Sequence, residues 1–159
     1  MSDDAPLAKD HPFIQAFTTA IPHVVELGIE TEEAADGVAI MRLPYQARFA
    51  VDPESGVLAG GVVTTLIDSV CGIAVITALR ERRRIATIDL RIDYLRPATP
   101  NEDLLAKAEC YKVTKQVAFV RCVAYQQDEN DLVASSQGTF MIHRLGRGQN
   151  KKNQGGGGA

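Results

Sequence analysis

The chain has 159 residues, 45% of them hydrophobic and 23% charged, and its formal net charge is −3. This length and composition are typical of one soluble globular domain. The slightly acidic balance, the 6% aromatic content and the absence of Trp exclude a typical nucleic-acid-binding surface, which needs clustered basic charge and aromatic rings.

The two ends of the chain differ in composition from its middle. Residues 1–10 are polar and acidic, without a secretory signal, and we expect them to be a flexible N-terminus. Residues 144–159 are basic, polar and glycine-rich, and we expect them to be a disordered tail. We interpret residues 11–143 between them as a single domain.

The first third of the chain predicts a short helix and two strands. Residues 11–21 carry apolar side chains at three- and four-residue spacing, which predicts an amphipathic helix that Pro22 ends. Residues 23–30 and 37–43 are predicted as strands, joined by an acidic turn over residues 31–37.

An apolar run over residues 60–79 predicts one long helix. Asp68 is its one charged side chain, and a carboxylate in such a place is costly unless it is paired or used. The same carboxylate would cost roughly 2.5–3.5 kcal/mol in a bilayer, so a helix buried in a soluble protein is favoured over a membrane span. Gly60 and Gly61 begin the run and leave the N–H groups of the helix N-terminus accessible to a ligand.

Four strand-like segments follow, over residues 85–95, 103–113, 117–125 and 132–142. In the first of them, alternation places Ala86, Ile88, Leu90, Ile92 and Tyr94 on one face and Thr87, Asp89, Arg91 and Asp93 on the other. The third segment, residues 117–125, is apolar on both faces apart from Arg121, and this pattern predicts a central strand. The whole pattern predicts an α+β fold, in which an antiparallel sheet of about six strands is curled around one long central helix.

Three segments resemble a known family. The run GVLAGGVVTTLID over residues 56–68 resembles the signature of acyl-CoA thioesterases of the phenylacetic-acid pathway type, in which an acid lies nine positions after the His of a His-Gly-Gly motif. ATIDLRIDYLRPA over residues 86–98 and GTF over residues 138–140 are similar to later strands of that family. The resemblance covers about residues 12–143 and implies the hotdog fold.

The resemblance also implies which residues act, and the chain departs from the family at two of them. Gly60 corresponds to the glycine whose backbone N–H holds the thioester carbonyl, and Asp68 corresponds to the acid that activates water or attacks directly. Ala59 stands where the family has its His, and Asp52 where members often have Asn. The resemblance therefore predicts an acyl-CoA thioesterase with Gly60 and Asp68 as the catalytic positions.

The spacing of Gly60 and Asp68 predicts an assembly. Eight helical residues separate them by roughly 12 Å, so one protomer cannot bring both to the same carbonyl. Either the two residues belong to different sites, or each site takes Gly60 from one chain and Asp68 from a second chain related by two-fold symmetry. The second option agrees with the resemblance and predicts an obligate homodimer, or a dimer of dimers.

The remaining candidates concern substrate binding. Gly61, Ala59 and Thr65 are expected to contact the acyl-CoA substrate. The resemblance makes Arg84 and Arg96 candidates for contact with the coenzyme A phosphates. No further cofactor is expected, because coenzyme A is part of the substrate, and the predicted partners include neither nucleic acid nor membrane.

Other functional groups in the sequence are assigned no chemistry. Three cysteines in apolar segments, without a CxxC motif, indicate free thiols in a cytoplasmic protein; they are Cys71, Cys110 and Cys122. His11, His23 and His143 have neither metal-ligand spacing nor a triad partner, so we predict no metal site.

Several alternatives remain open at the level of sequence. Asp68 could simply cap a loop or pair with an arginine, and Gly60-Gly61 could be only a tight turn. Thr64 and Thr65 could be nucleophiles, although hydroxyls bonded within the helix are a simpler interpretation. Because Ala59 replaces the family His, the protein could also bind acyl-CoA without cleaving it, as a sensor or carrier. The acyl group itself is not predicted.

Overall fold

The computed structural model describes residues 8–79, 81 and 83–143. The predicted tail over residues 144–159 and most of the predicted flexible N-terminus lie outside these residues. Lys9 is described, and its N–H donates to the carbonyl of Ala34 at 2.9 Å. The chain is therefore in contact with the domain from this residue onward.

Six antiparallel strands form one sheet. They are β1 (Glu30–Ala35), β2 (Val38–Leu43), β3 (Ile85–Tyr94), β4 (Leu104–Val113), β5 (Val117–Tyr125) and β6 (Ala134–Ile142). Their spatial order is β1-β2-β4-β5-β6-β3, which places β1 and β3 at the edges and β5 in the interior, as predicted. The predicted α+β architecture is confirmed.

One long helix, α3 (Gly60–Leu79), packs across the sheet and supplies much of the core. Four fully buried alanines on β4 and β5 let the helix approach the sheet closely; they are Ala106, Ala108, Ala118 and Ala124. By length and composition α3 could cross a membrane, but 67% of its apolar stretch is buried within the protein. The helix is therefore the core of the domain, as predicted.

The N-terminal region differs from the prediction. Helix α1 (Pro12–Ala20) is confirmed, but residues 23–30 do not form a strand. They contain a second helix, α2 (Pro22–Leu27), which begins at a proline and ends at Gly28 with φ 68°. Proline is preorganised for the first helical position, and glycine tolerates the left-handed conformation of a helix end. These two residues override the strand propensity of the valines between them.

The predicted acidic turn over residues 31–37 is also wrong. β1 extends through most of it, and the turn is reduced to Asp36 and Gly37, which have φ 45° and 86°. The acidic strand is tolerated because Arg42 on β2 pairs with both Glu30 and Glu32. These ion pairs offset part of the negative charge of this edge strand.

Strand β3 contains a β-bulge. Thr87 pairs with Phe140 of β6 and Asp89 pairs with Thr139, so Ile88 is an extra residue between two paired positions. Ile88 is 54% exposed, which is consistent with a side chain displaced from the sheet face. Bulges of this kind often redirect a neighbouring side chain.

The bulge reverses part of the predicted alternation. Ala86 was expected to share a face with Leu90, and Thr87 to lie on the opposite face with Asp89. Instead, Leu90 packs against the core, Ala86 is exposed, and Thr87 faces the helix, where its hydroxyl reaches Asp68. The extra residue therefore brings a hydroxyl into the neighbourhood of the predicted catalytic acid.

Candidate functional site

The N-terminus of α3 carries two free N–H groups. Ala59 precedes the helix; its N–H donates to the carbonyl of Phe49 at 2.9 Å, and its carbonyl accepts from Val62 at 3.0 Å. The first N–H groups of a helix have no acceptor within the helix. Among the described residues no other acceptor meets the N–H groups of Gly60 and Gly61. Both glycines are exposed, so these donors are accessible to an anionic oxygen.

A tyrosine from β3 holds this helix end in place. The hydroxyl of Tyr94 donates to the carbonyl of Gly60 at 2.9 Å and lies 2.9 Å from the hydroxyl of Thr64. The Thr64 hydroxyl also donates to the Gly60 carbonyl. A Cβ atom at Gly60 would lie 3.4 Å from the Tyr94 hydroxyl, which is a close van der Waals contact without a clash. Gly60 is therefore fixed by contacts to its carbonyl while its N–H stays open.

Asp68 lies two turns further along the helix. It is half-buried, and the hydroxyl of Thr87 donates to its Oδ1 at 2.9 Å. Within the described part of the chain Thr87 is the one hydrogen-bond donor to Asp68, and no arginine pairs with it. The carboxylate is thus oriented by one neutral hydroxyl, and its Oδ2 is available to a water molecule or a substrate. Among the described residues, the contacts of Asp68 agree with neither the loop-capping nor the arginine-pairing interpretation.

The other hydroxyls on this helix face are committed within the helix. Thr65 donates to the carbonyl of Gly61 at 2.9 Å, and Ser69 donates to the carbonyl of Thr65 at 2.7 Å. A hydroxyl bonded to the carbonyl four residues earlier is a common structural arrangement in helices. These two side chains line the cavity with their hydroxyl hydrogens directed at the helix backbone, which favours the structural interpretation of Thr65.

Asp68 lies in the wall of a cavity of about 250 Å³ between α3, the α1–α2 pair and the start of β3. Its lining combines polar and apolar side chains: Phe17, Ile21, His23, Val24, Thr65, Asp68, Ser69, Gly72, Ile85, Ala86, Thr87 and Phe140. His23 is exposed and therefore lies at the rim. The cavity brings a carboxylate, a hydroxyl and an imidazole together in one concave site, the arrangement expected of a ligand-binding pocket.

The two arginine candidates occupy different environments. Arg96 donates four hydrogen bonds, to the side chain and carbonyl of Asp131, the carbonyl of Pro97 and the side chain of Gln126, and it forms an ion pair with Asp131. This guanidinium links loops, and most of its donors are engaged within the protein. Arg84 is exposed and directly precedes Ile85 in the cavity wall.

Asp52, which stands where the family often has Asn, is a structural residue. Its carboxylate accepts from the N–H groups of Glu54 at 3.0 Å and Ser55 at 2.8 Å, and from the Ser55 hydroxyl at 2.7 Å. These hydrogen bonds, with that of the Ser55 N–H first, lower the pKa of Asp52. The carboxylate therefore fixes the exposed loop that leads towards α3.

The cysteines are free thiols, as predicted: Cys71 and Cys122 are buried and Cys110 is half-buried. The neighbouring Cys122 thiol, followed by burial, raises the pKa of Cys71. A thiol kept protonated in the core is a poor nucleophile. None of the three cysteines is among the described residues that line the cavity at Asp68.

Sequence reasoning missed three residues of this region. Thr87 was placed on the wrong face because the bulge was not recognised. Tyr94 was assigned only to a strand face, and no local signal indicates its contact with Gly60. His23 was assigned no chemistry because it has neither metal-ligand spacing nor a triad partner in the sequence. Its segment was also predicted as a strand, whereas the Pro22 and Gly28 boundaries of α2 could have indicated a short helix.

The sequence of this chain is similar to the sequences of known thioesterases and esterases. The profile of the thioesterase superfamily matches residues 55–133, a range that includes the glycine pair, Asp68, Thr87 and Tyr94. A protein of Halobacterium salinarum that carries the provisional name of an esterase is 36% identical over 126 residues, which are 74% of this chain and 82% of the relative.

Two further similarities extend over most of the chain. A medium/long-chain acyl-CoA thioesterase of Salmonella typhimurium is 27% identical over 141 residues, 80% of this chain and 90% of the relative. A solved structure from Pseudomonas aeruginosa is 43% identical, has a TM-score of 0.72, and is matched over 79% of this chain and 93% of its own. These matches agree with the hotdog layout of one central helix against an antiparallel sheet.

Proposed function

Because the chain belongs to the thioesterase superfamily, we propose that it is a cytoplasmic acyl-CoA thioesterase in which Asp68 activates water. The observation that carries this proposal is the half-buried Asp68 carboxylate, oriented by Thr87 in the wall of a cavity, on a helix that begins with two free N–H groups. The predicted resemblance to hotdog acyl-CoA thioesterases is confirmed at the level of the superfamily.

The proposed reaction divides two tasks between Asp68 and Gly60. Oδ2 of Asp68 accepts a proton from a water molecule whose oxygen attacks the thioester carbonyl carbon. The backbone N–H of Gly60 donates to the oxyanion that forms, supported by the positive end of the helix dipole. Collapse breaks the C–S bond, and the proton held by Asp68 passes to the departing thiolate. The products are a carboxylic acid and free coenzyme A.

A second chain is needed to complete this site. Tyr94 holds Gly60 at one end of the helix while Thr87 holds Asp68 roughly 12 Å away, so these groups form two half-sites within one protomer. β3 is an edge strand, and the exposed apolar side chains Ile88, Tyr94 and Leu95 lie along it or at its end. An open strand edge with exposed apolar residues supports pairing with a second copy. We infer a homodimer in which each site combines Gly60 of one chain with Asp68 of the other.

Arg84 is our candidate for binding the coenzyme A phosphates. Its exposed side chain lies beside the cavity wall, where a phosphate could be reached without breaking the internal bonds that occupy Arg96. An exposed guanidinium binds phosphate through paired N–H groups. Next to the oxyanion donor, Gly61 is proposed to contact the substrate through its free N–H and Ala59 through its methyl group, because the backbone N–H and carbonyl of Ala59 are bonded within the protein.

Replacement of the carboxylate tests the catalytic assignment. Asp68→Asn keeps the shape of the side chain and its hydrogen bond with Thr87 but removes the base. We expect a loss of at least 100-fold in kcat, measured as thiol release from a panel of acyl-CoA substrates, because general-base catalysis contributes about 10²–10⁴-fold. Equal activity of both proteins would exclude Asp68 as the base.

The replacement of the family His by Ala59 favours a second candidate, a protein that binds acyl-CoA without cleaving it. Calorimetry would then show acyl-CoA binding while the native protein releases no thiol from any substrate in the panel. In that case Ala59→His is expected to create activity if only the imidazole is lacking. Thiol release by the native protein would exclude this candidate.

A further inference from the structure

Few groups in the wall of the cavity at Asp68 can give a proton to a ligand. The polar side chains among its lining residues are those of His23, Thr65, Asp68, Ser69 and Thr87. Each hydroxyl has one hydrogen to donate, and these hydroxyls use it within the protein, on helix carbonyls or on Asp68. Asp68 itself is the proton acceptor of the proposed reaction. Among the described lining residues, His23 is therefore the one with an N–H that a ligand can use.

His23 differs from the other two histidines of the chain. Its imidazole is exposed at the rim of the cavity and, within the described part of the chain, has no hydrogen-bond or ion-pair partner. His11 accepts a hydrogen bond from the N–H of Phe13 at 3.0 Å, and His143 lies outside the cavity lining. Imidazole is the side chain whose charge changes most easily near neutral pH. His23 can therefore both hold a proton and release it to a substrate.

The sulfur of a bound thioester belongs at this rim, because most of coenzyme A has to lie outside the cavity. The cavity measures about 250 Å³, whereas pockets for drug-sized ligands measure roughly 300–1,000 Å³, and coenzyme A is larger than such a ligand. Arg84, our candidate for binding its phosphates, is exposed and directly precedes Ile85 of the cavity wall. A thioester whose carbonyl lies at Asp68 therefore has its leaving group on the exposed side, where His23 lies.

We propose that His23 is the general acid that protonates the departing thiolate, in a chain that has Ala59 in place of the family His. This inference rests on the proposed thioesterase function. The imidazolium of His23 donates its proton to the sulfur while the C–S bond breaks and its electron pair stays on that sulfur. The neutral imidazole then accepts the proton that Asp68 removed from water, which restores both groups. One water molecule is consumed for each thioester.

The acidity of the leaving thiol tests this role, because a thiolate that is stable without a proton needs no general acid. His23→Gln keeps a hydrogen-bond donor of similar reach but cannot transfer a proton. We expect kcat for octanoyl-CoA to fall about 100-fold, the lower end of the ~10²–10⁴-fold that general acid–base catalysis contributes. The octanoyl thioester of 4-nitrothiophenol has a far more acidic thiol, so its kcat is expected to fall less than about threefold.

His143→Gln is the matched control. It makes the same substitution at an exposed histidine outside the cavity lining, and we expect native rates on both substrates. An unchanged kcat for His23→Gln on octanoyl-CoA would overturn the proposal. An equal loss with both thioesters would also overturn it, because a merely structural role of His23 affects the two substrates alike.

NMR separates failure of this role from failure of the proposed function. The chain has three histidines, so the ring signals of the full-length protein, labelled with ¹⁵N-histidine, are assigned by their loss in His23→Gln and His143→Gln. Saturation with octyl-CoA, a thioether that cannot be hydrolysed, is expected to shift the His23 signal and not that of His143. If the native protein releases no thiol, the hydrolase proposal fails, while this shift still supports His23 at the sulfur. An unshifted His23 signal rejects the role whether or not the protein hydrolyses thioesters.

Discussion

At the scale of single residues, the contact between Thr87 and Asp68 determines how the carboxylate is presented. A carboxylate with one donor keeps one oxygen oriented and the other available, whereas an arginine partner would bind both oxygens. Tyr94 has the equivalent role at the other half-site, because it binds the carbonyl of Gly60 and leaves the N–H open. Both residues position the proposed catalytic groups through neutral hydroxyls.

Thr87→Val removes the hydroxyl and keeps the shape of the side chain. A hydrogen bond to a charged group contributes about 1.5–3 kcal/mol, so we expect kcat to fall about 10- to 100-fold with little change in Tm. Thr87→Ser restores the hydroxyl and should retain activity within a few-fold. Steady-state kinetics on octanoyl-CoA checks both variants, and equal rates for Val and Ser would contradict the positioning role.

At the scale of elements, the short helix α2 shows how boundary residues determine local structure. Its valines favour a strand, but Pro22 begins a helix and Gly28 ends it in the left-handed region. The next segment then enters β1 directly. Because α2 carries His23 and Val24 of the cavity wall, the shape of the site depends on this helix end.

Gly28→Ala tests the helix end. The added Cβ would lie 3.6 Å from Nε2 of Gln46, so it meets no clash and the cost comes from φ 68° alone. We expect the free energy of unfolding to fall by about 1–2 kcal/mol, measured by urea denaturation. Gly28→Asn should lose less, because Asn tolerates this conformation. Equal losses for Ala and Asn would point to a cause other than backbone strain.

The elements also show where sequence-based prediction succeeds. Helix α3, with its glycine pair and its one acid, was predicted correctly because its signals are local: a long apolar run and one charge within it. The two faces of β3 were not predicted correctly, because the bulge at Ile88 depends on the pairing of β3 with β6. This pairing is a property of the tertiary structure. The roles of Thr87 and Tyr94 were missed for the same reason, since each depends on how β3 lies against α3.

At the scale of the whole molecule, the proposed division of the site between Gly60 of one chain and Asp68 of another makes the proposed function dependent on assembly. Gly60→Pro removes the proposed oxyanion donor, and proline is well tolerated at the first position of a helix. Asp68→Asn removes the proposed base. Each variant alone is expected to have less than 1% of native activity, because each leaves every site without one group.

Mixed dimers of the two variants test the shared site. In a dimer that combines one Gly60→Pro chain with one Asp68→Asn chain, one of the two sites retains both native groups. Random mixing should therefore restore about a quarter of native activity. Co-expression of the two variants with the same affinity tag provides this random mixture, and size-exclusion chromatography checks that it is dimeric. Recovery no greater than for either variant alone would show that the groups do not act across an interface.

The bulge in β3 has a consequence for reading related chains. Insertions and deletions are usually assigned to loops, yet the number of residues inside this strand decides whether Thr87 or its neighbour faces the helix. A relative whose β3 is regular would present a different residue to its acid, even where an alignment of the two sequences shows no gap. Two residues of β3 in such chains are therefore equivalent when they pair with the same position of β6. A functional role should be transferred from one chain to the other on the basis of this hydrogen-bond pairing.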